Sequence, residues 1–316
     1  MNGQRSAEAF EPQPVCWICG GAALGPADRL TFDLSEYRKQ DPALAAYSHE
    51  RLILNRCGAC GFAQPEALPT LARYFERMYD QRWSPEWMQA EFEATTKDLI
   101  FARILEQLRS RVEPPRRRLL DIGAHVGRFI DLARAAGWLA EGLELNPQTA
   151  AYARQRTGAR VRQLRVEDLE GEMASWDAIT LTDVLEHIPR PMSVLSRACS
   201  LLAPGGWIAV KVPCGPAQRS KEAWRARLRR GYRPTIADNL VHVSHFSPRS
   251  LVLALEQAGF RDVSLEPAAP EIPPGGGLRT ALDRWLRRGV FAVVRAVPAG
   301  VHSPLALNLQ VYARRP

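Results

Sequence analysis

The stretch LLDIGAHVGRFIDLARAAG, residues 119–137, constrains this 316-residue chain more than any other. Two leucines lead into an acid, Asp121. A glycine-spaced bend follows, Gly123-Ala-His-Val-Gly127, and then apolar residues recur at helical spacing (Phe129, Ile130, Leu132, Ala133). The pattern predicts a buried strand, a tight loop and a helix opening toward a ligand. Glu144 lies 23 positions beyond Asp121, at the end of a second short apolar run, 142–145.

Strand and helix then alternate. Strands are expected at 142–146, 161–166, 176–181 and 207–212, with helices at 147–158 and 191–202. The first helix has Pro147 at its start and Gly158 at its end, each where such residues favour helix boundaries. This beat gives an α/β, doubly wound, mostly parallel sheet with helices on both faces. Right-handed crossovers place the strands' C-terminal ends along one ligand-binding edge. After Pro213 the beat breaks into a basic segment, the run NLVHVSHFSP at 239–248, a helix at 249–259 and two late strands at 261–265 and 305–313. A seven-stranded sheet results. Between the late strands lie a Pro/Gly loop, 270–277, and an amphipathic stretch, 278–297, where Trp285 and several arginines flank apolar residues. It is expected to pack on the core or form a homodimer helix; binding to a membrane surface is the alternative.

Four of the six cysteines form two CxxC pairs, Cys16/Cys19 and Cys57/Cys60, each followed directly by glycine. A glycine-released turn lets two sulfurs two residues apart point at one ion, and two such turns complete a tetrahedral thiolate site suited to structural Zn²⁺. Neither pair opens a helix after a strand, as a redox CxxC does. A strand at 51–55 is expected to feed the second pair. Cys199 and Cys214 read as buried small side chains. From 71 to 112 the pattern is helical and rich in aromatics, with Ser84 and Pro85 marking a helix start. Those aromatics either pack the knuckle on the next unit or form a lid in which Tyr74 and Tyr79 close over a ligand. The expected organisation is a zinc-knuckle domain at 1–68, a helical linker or lid at 69–112 and a ligand-binding domain at 113–316. The last carries a substrate-side insert at about 214–248.

A hydrophobic fraction of 46% permits a packed core, and no apolar run reaches the ~18 residues of a membrane span. The start lacks the basic-then-apolar pattern of a secretory signal, so a cytoplasmic location is expected. The net charge is +8, and the one dense basic patch is 221–233, with six cations against one glutamate. It reads either as a solvated helix face or as an electropositive wall for phosphate or carboxylate on a substrate. Cations and aromatics are not interleaved along one face, which argues against nucleic acid as the partner.

The acid before the loop and the GxxxG spacing, in place of GxGxxG, suit a cationic ligand better than a dinucleotide's diphosphate. S-adenosylmethionine, with an ammonium and a sulfonium, meets that demand. Gly123 and Gly127 would let backbone approach the ligand, Glu144 take both ribose hydroxyls, and Asp168 accept from the adenine amine, with Leu145 and Leu169 against the ring faces.

These residues resemble a known family. The segments DIGAHVGRF, GLELNP, VEDL, WDAITLTDVLEHI and LLAPGGWIAVKVP, and more loosely HVSHFSPRSLVLALEQAGF, are similar to class I S-adenosylmethionine-dependent methyltransferases of the type carrying an N-terminal zinc knuckle. The family loop usually reads DIGCGTG, from which Ala124, His125 and Val126 depart. The resemblance implies that Asp121, Gly123 and Gly127 line the methionine end, with Ala124 and Phe129 also among the cofactor-binding residues. It further implies Glu144 at the ribose, Asp168 at the adenine and Thr182 beside the sulfonium.

Methyl transfer requires a nucleophile aligned in line with the methyl group, and an oxygen nucleophile benefits from a base. His187, His242 and His245 are candidates, with His245 preferred and His187 nearest the methyl. Asp183-x-x-Glu186-His187 also resembles the metal-binding run of ubiquinone-pathway O-methyltransferases, where glutamate stands in place of Asp183. The expected function is O-methylation of a small-molecule, sugar or glycan-precursor hydroxyl, on an acceptor that can carry phosphate. C-methylation of a nucleotide-sugar is the alternative within enzymes. Outside them stand a zinc-knuckle RNA-binding protein and a fold that binds the cofactor without transferring from it.

Overall fold

The computed structural model describes residues 9–31, 41–47, 51–79, 83–232, 242–272 and 275–316. Arg233 of the basic run, the Tyr79 side chain and residues 273–274 of the Pro/Gly loop lie outside what is described.

Five short strands make the N-terminal unit: β1 (Phe10–Pro12), β2 (Leu24–Thr31), β3 (Arg51–Cys57), β4 (Ala63–Pro65) and β5 (Ala67–Pro69). β2, β3 and β4 form an antiparallel sheet, and β1 pairs with β5. Helices α1 (Tyr74–Tyr79), α2 (Pro85–Glu93) and α3 (Asp98–Arg111) follow. Pro85 opens α2 and the Ser84 hydroxyl caps it, accepting from the Trp87 N–H at 3.1 Å, as the sequence leads one to expect.

The rest of the chain builds the large sheet. Its elements are β6 (Arg118–Ile122), α4 (Arg128–Ala135), β7 (Leu139–Leu143), α5 (Pro147–Thr157), β8 (Val161–Arg162), β9 (Trp176–Thr182), α6 (Met192–Leu201) and β10 (Leu202–Pro213). Then come α7 (Gly215–Leu228), α8 (Pro248–Gln257), β11 (Arg261–Pro267), α9 (Leu278–Ala296) and β12 (Asn308–Arg314). The strand order is β11-β12-β10-β9-β6-β7-β8. β12 runs antiparallel to both neighbours, while the pairs from β10 through β8 are parallel.

Alternate residues along each strand sort into two cores, as a period of two dictates. Leu120, Ile179, Val210 and Val311 join α6 and α8 on one face. Leu119, Ala178, Ala209 and Tyr312 join α3, α4 and α5 on the other. Both faces are covered, which is why these strands read as nearly continuous apolar runs. The first core also takes in Trp17, Cys57, Cys60 and Phe62, so the cysteine unit packs directly against the sheet.

Several expectations shift. β7 ends at Leu143, so Glu144 begins the loop, with the Asn146 side chain capping α5 by accepting from the Gln148 and Thr149 N–H groups. β8 is two residues long; the chain then turns into a short 3-10 helix, Val166–Asp168, where a strand was expected to continue. Tyr74 is no lid. It is buried in an aromatic cluster with Tyr47 and Phe75 inside the N-terminal unit. Of the expectations for α9, packing on the core is met only in small part: Val294 alone among its residues is buried, with Phe291 partly so. No helix among the described residues is long and apolar enough to cross a membrane.

Candidate active site

Parallel strands deliver their C-terminal ends to one edge, and β6 and β7 bring the two acids there. Asp121 is buried within β6, where its Oδ1 accepts from the Thr180 hydroxyl at 2.7 Å. Burial lifts its carboxyl to about 7, with the nearby Glu144 charge adding to the rise. Glu144 accepts from the His125 N–H at 2.7 Å and the Asn146 N–H at 2.8 Å, so it organises the loop from below. Burial raises its carboxyl despite those donors. The bend also hangs from β7 by two backbone bonds, from Gly123 and Ala124 N–H to the Leu143 carbonyl.

Both glycines of the bend are required by packing. Gly127 has φ +86°, and a Cβ there would lie 2.9 Å from the Ala153 Cβ, so it lets α4 sit close on α5. Gly123 has φ +79°, and its Cβ would meet a Val184 methyl at 2.5 Å. Ala124 and Phe129, expected at the cofactor, are 4% exposed and lie in the core, Phe129 edge-on to Phe101. Leu169, expected against a ring face, is likewise core. Leu145 and Asp168 are exposed on the edge. At the end of β9, the Thr182 hydroxyl is buried without a partner among the described residues.

The loop is roofed from α2. Trp83 and Trp87 stack at 3.8 Å between ring centroids, and Trp87 meets the His125 ring edge-on at 5.6 Å. The aromatics over the loop are therefore Trp83, just before α2, and Trp87 within it, and not the tyrosines expected there. Burial, with the Lys97 charge behind it, lowers His125 to about 4, so that ring is neutral.

Beyond β9 the chain places a buried charge cluster that the motif reading passed over. Asp183, at φ +57°, accepts from Lys211 on β10 and from Lys97 at the head of α3, the latter at 2.8 Å. Burial alone would raise its carboxyl, but the two ammonium groups outweigh that and hold it well below the usual range. Lys211, 2% exposed, also lies 3.5 Å from Glu271 of the late loop. A signal did exist. Only four of the chain's 42 cations are lysine, and two of those four meet here.

The same cluster removes Asp183 from any metal-binding run, because both its oxygens are engaged by lysines. The group that converges instead is Glu186, His187 and His242, whose ligand atoms lie within 4.8 Å of one another. The His187 and His242 rings meet edge-on at 4.7 Å. Glu186 is buried, with its Oε2 unpartnered among the described residues, and burial beside Asp183 raises its carboxyl well above the usual range. Burial and the neighbouring histidines lower His242, so it stays neutral.

His245, the preferred base from the sequence, has a different position. A carbonyl only accepts, so the His245 Nε2 that lies 3.0 Å from the His242 carbonyl must carry the proton and donate it. Its backbone exchanges two hydrogen bonds with Ala63, and burial beside Arg219 lowers the ring to about 4. It braces His242 against the cysteine unit.

In that unit, Cys16 and Cys60 sulfurs lie 3.6 Å apart, and Cys19 and Cys57 sulfurs 3.5 Å apart, with all four inside 4.8 Å. Twin turns, closed by Gly20 N–H to Cys16 carbonyl and Gly61 N–H to Cys57 carbonyl, aim them together. Burial pushes the Cys16 thiol up to about 11. Burial acts the same way on Cys57, but the N–H groups of Cys60 and Ala59 outweigh it and leave that thiol at about 7.

A seven-stranded sheet of this order, with acids at two adjacent strand ends and a glycine bend between them, defines a class I S-adenosylmethionine-dependent methyltransferase. Residues 92–265, more than half of the chain, match the family described as methyltransferase domain, and the chain belongs to that family. It is 36% identical over 108 residues to a ubiquinone biosynthesis O-methyltransferase of Xanthomonas axonopodis pv. citri, covering 32% of this chain and 45% of that one. It is also 36% identical over 99 residues to the Bordetella pertussis protein of the same name, covering 29% and 41%. The chain thus spans less than half the length of the curated relatives it matches. Among solved structures, a chain from the complex of the Haloferax volcanii Trm112 methyltransferase activator with its methyltransferase shares the fold. The TM-score is 0.51 at 16% identity, over 73% of this chain and 96% of that one.

The Asp183 cluster makes a direct prediction. Removing one partner of a buried ion pair leaves the other charge uncompensated, so Asp183→Ala should cost about 3–5 kcal/mol in urea unfolding. Adding Lys211→Met should recover part of that loss. A single variant within ~0.5 kcal/mol of wild type, the usual range for uninvolved surface changes, would refute the coupling.

Proposed function

We propose that this chain transfers a methyl group from S-adenosylmethionine to a hydroxyl of a small-molecule acceptor. The observation that carries the reading is the buried Asp121 beside Glu144, joined by one bend at the edge of the sheet. Asp121 would face the ammonium end, Glu144 the ribose and the exposed Asp168 the adenine. The orphaned Thr182 hydroxyl would face the sulfonium, since a buried polar group without a partner is costly unless a ligand satisfies it. Bound there, S-adenosylmethionine supplies an electrophilic methyl group.

His187 and His242 are suited to take the acceptor's proton. His242 is held neutral by burial, so it has a free lone pair at working pH, and His245 fixes the segment that carries it. Trp83 and Trp87 would exclude water from above. A sugar-type acceptor bearing phosphate is supported by the exposed Arg227 at the end of α7 and by Arg229 and Arg230 just past it. The name shared by the curated relatives favours oxygen over carbon as the methylated atom.

The four cysteines suit a structural Zn²⁺. Bonds of ~2.3 Å from a tetrahedral ion place thiolates ~3.8 Å apart, close to the spacings here. The ion would lock the knuckle, and through Ala63 and the Cys60 carbonyl, which accepts from the Ser247 hydroxyl, the His242–His245 segment.

Asp121 gives the first test. A ligand ammonium stabilises the carboxylate, so a carboxyl at about 7 must release its proton on binding. Cofactor affinity should rise with pH up to about 7 and level off above it, with roughly half a proton released at pH 7. Calorimetry in buffers of different ionisation enthalpy reads that proton, and Asp121→Asn should abolish it. Buffer-independent heats would remove Asp121 from the cofactor's cationic end.

Acceptor chemistry is tested next. His187→Ala or His242→Ala should lower kcat about 10²- to 10⁴-fold while cofactor affinity holds. Unchanged kcat in both would exclude the pair. A second reading uses the same side chains as ligands of a divalent cation. It gains support only if added Mg²⁺ or Mn²⁺ accelerates the wild type but not Glu186→Gln.

For the knuckle, elemental analysis should find about one zinc per chain, lost in Cys57→Ser and Cys60→Ser. Both variants should lose at least ~5 °C in Tm, given ~2–4 °C per kcal/mol for domains of this size. Full stability without zinc would overturn the assignment.

A further inference from the structure

Helix α9 is apolar on two opposite sides, and only one of them is used. At 3.6 residues per turn, Phe291 and Val294 project on the side that packs against the molecule. Leu278, Leu282, Trp285, Leu286 and Val293 fall roughly opposite, at i, i+4, i+7, i+8 and i+15, and all are exposed. Trp285 is 69% and Val293 62% exposed, so this is a stripe of whole side chains in solvent. Arg288 lies toward one border of the stripe and Arg279 at the other, both exposed, while Arg284, Arg287 and Arg295 fall nearer the packed side, where Arg287 pairs with Asp283 and Arg295 with Glu266. Arginine stems can lie along the stripe while their heads reach outward.

We propose that α9 docks this protein on an anionic phospholipid surface, lying in the plane of the interface with Trp285 at the headgroup level. A low overall hydrophobicity, an apolar stripe centred on Trp and Leu, and cations at its borders are what an interfacial helix needs. The chain's net charge of +8 has the matching sign. A second copy of the chain fits the stripe less well. Two-fold pairing sets the same patch against itself, which would bring these arginines against their own counterparts. Interface cores are also depleted in charge, and here exposed arginines stand on both borders of the stripe.

The placement has a consequence for the site. Arg287 donates to the Glu271 carbonyl, and the Glu271 carboxylate lies beside Lys211 in the buried charge cluster. The Ile272 N–H donates to the Thr96 carbonyl, next to Lys97. A bilayer under α9 is therefore joined by a short chain of contacts to the acceptor side of the edge. Docking itself does not require the methyl-transfer reading.

The experiment is co-sedimentation of the full chain with vesicles of phosphatidylcholine, alone or mixed with phosphatidylglycerol. The protein should sediment with the mixed vesicles and not with phosphatidylcholine alone, and added salt should weaken binding. The triple change Leu282→Ser, Trp285→Ser, Val293→Ser should cut partitioning more than ~10-fold. Arg279→Gln and Arg288→Gln should each cut it about fivefold. These side chains are on the surface, so circular dichroism and cofactor affinity should stay at wild-type values. No sedimentation of the wild type, or triple-variant binding equal to wild type, overturns the proposal. So does a concentration-dependent dimer in analytical ultracentrifugation that the triple change dissolves while vesicle binding persists. Binding to vesicles that generic RNA competes away would equally reassign the arginines to nucleic acid.

Discussion

Two backbone hydrogen bonds between Ala63 and His245 tie the cysteine unit to the segment that carries the histidines. Around them, Phe62 meets Phe246 edge-on at 5.1 Å, and the Ser247 hydroxyl donates to the Cys60 carbonyl while capping α8. The Val243 and Ser244 N–H groups then donate to the Glu186 carbonyl, fixing His242 against His187. Each link is an ordinary bond, worth about 1 kcal/mol. Together they leave the His242 segment little freedom. The N-terminal unit thus acts as a wall of the site, and a thiolate-bound ion would stiffen that wall at its base.

A second constraint is electrostatic. Asp183 lies between two ammonium groups at a bend that puts it at positive φ, a conformation unfavourable for most residues. Burying one carboxylate between two lysines is tolerable only because each charge offsets the others. Lys97 reaches in from the helical segment before the sheet, Lys211 from β10, and Glu271 from the late loop. Three distant parts of the chain are therefore held around the end of β9 by charge, where neighbouring elements elsewhere are held by apolar packing. The deep burial also accounts for the neutral His125 and His242 and the raised Glu186, since none of these groups finds enough water to carry its charge.

The sheet and its acids were legible because their signals are local. A buried parallel strand is an apolar run, its tip is polar, and the helix after it announces itself by Pro147 and Gly158. The paired cysteines were legible for the same reason. What was missed depends on chain segments far apart in sequence. Trp87 over His125, Lys97 at Asp183 and Glu271 at Lys211 are encounters across roughly 40 to 90 residues, and no periodicity encodes them. The glycines mark a subtler limit. The pattern locates Gly123 and Gly127 correctly, yet only coordinates reveal that Val184 and Ala153 fill the space a side chain would need.

These two kinds of legibility coincide with a division in the site itself. The edge formed by β6, β7 and β9 supplies Asp121, Glu144 and Thr182 from strand ends or the residue just past one, and the fold positions those groups wherever it occurs. The other side is assembled from outside the parallel strands: α2 roofs the loop, the head of α3 brings Lys97, the cysteine unit fixes His242, and the loop before α9 brings Glu271. Side chains delivered by strands are common property of a fold, whereas those delivered by appended segments vary with what must be recognised. On the proposed reading, acceptor choice would reside in the appendages. If α9 docks as proposed, its exposed stripe, joined through Arg287 and Glu271 to that same side, would place the environment in which an acceptor is met under the control of the same added segments.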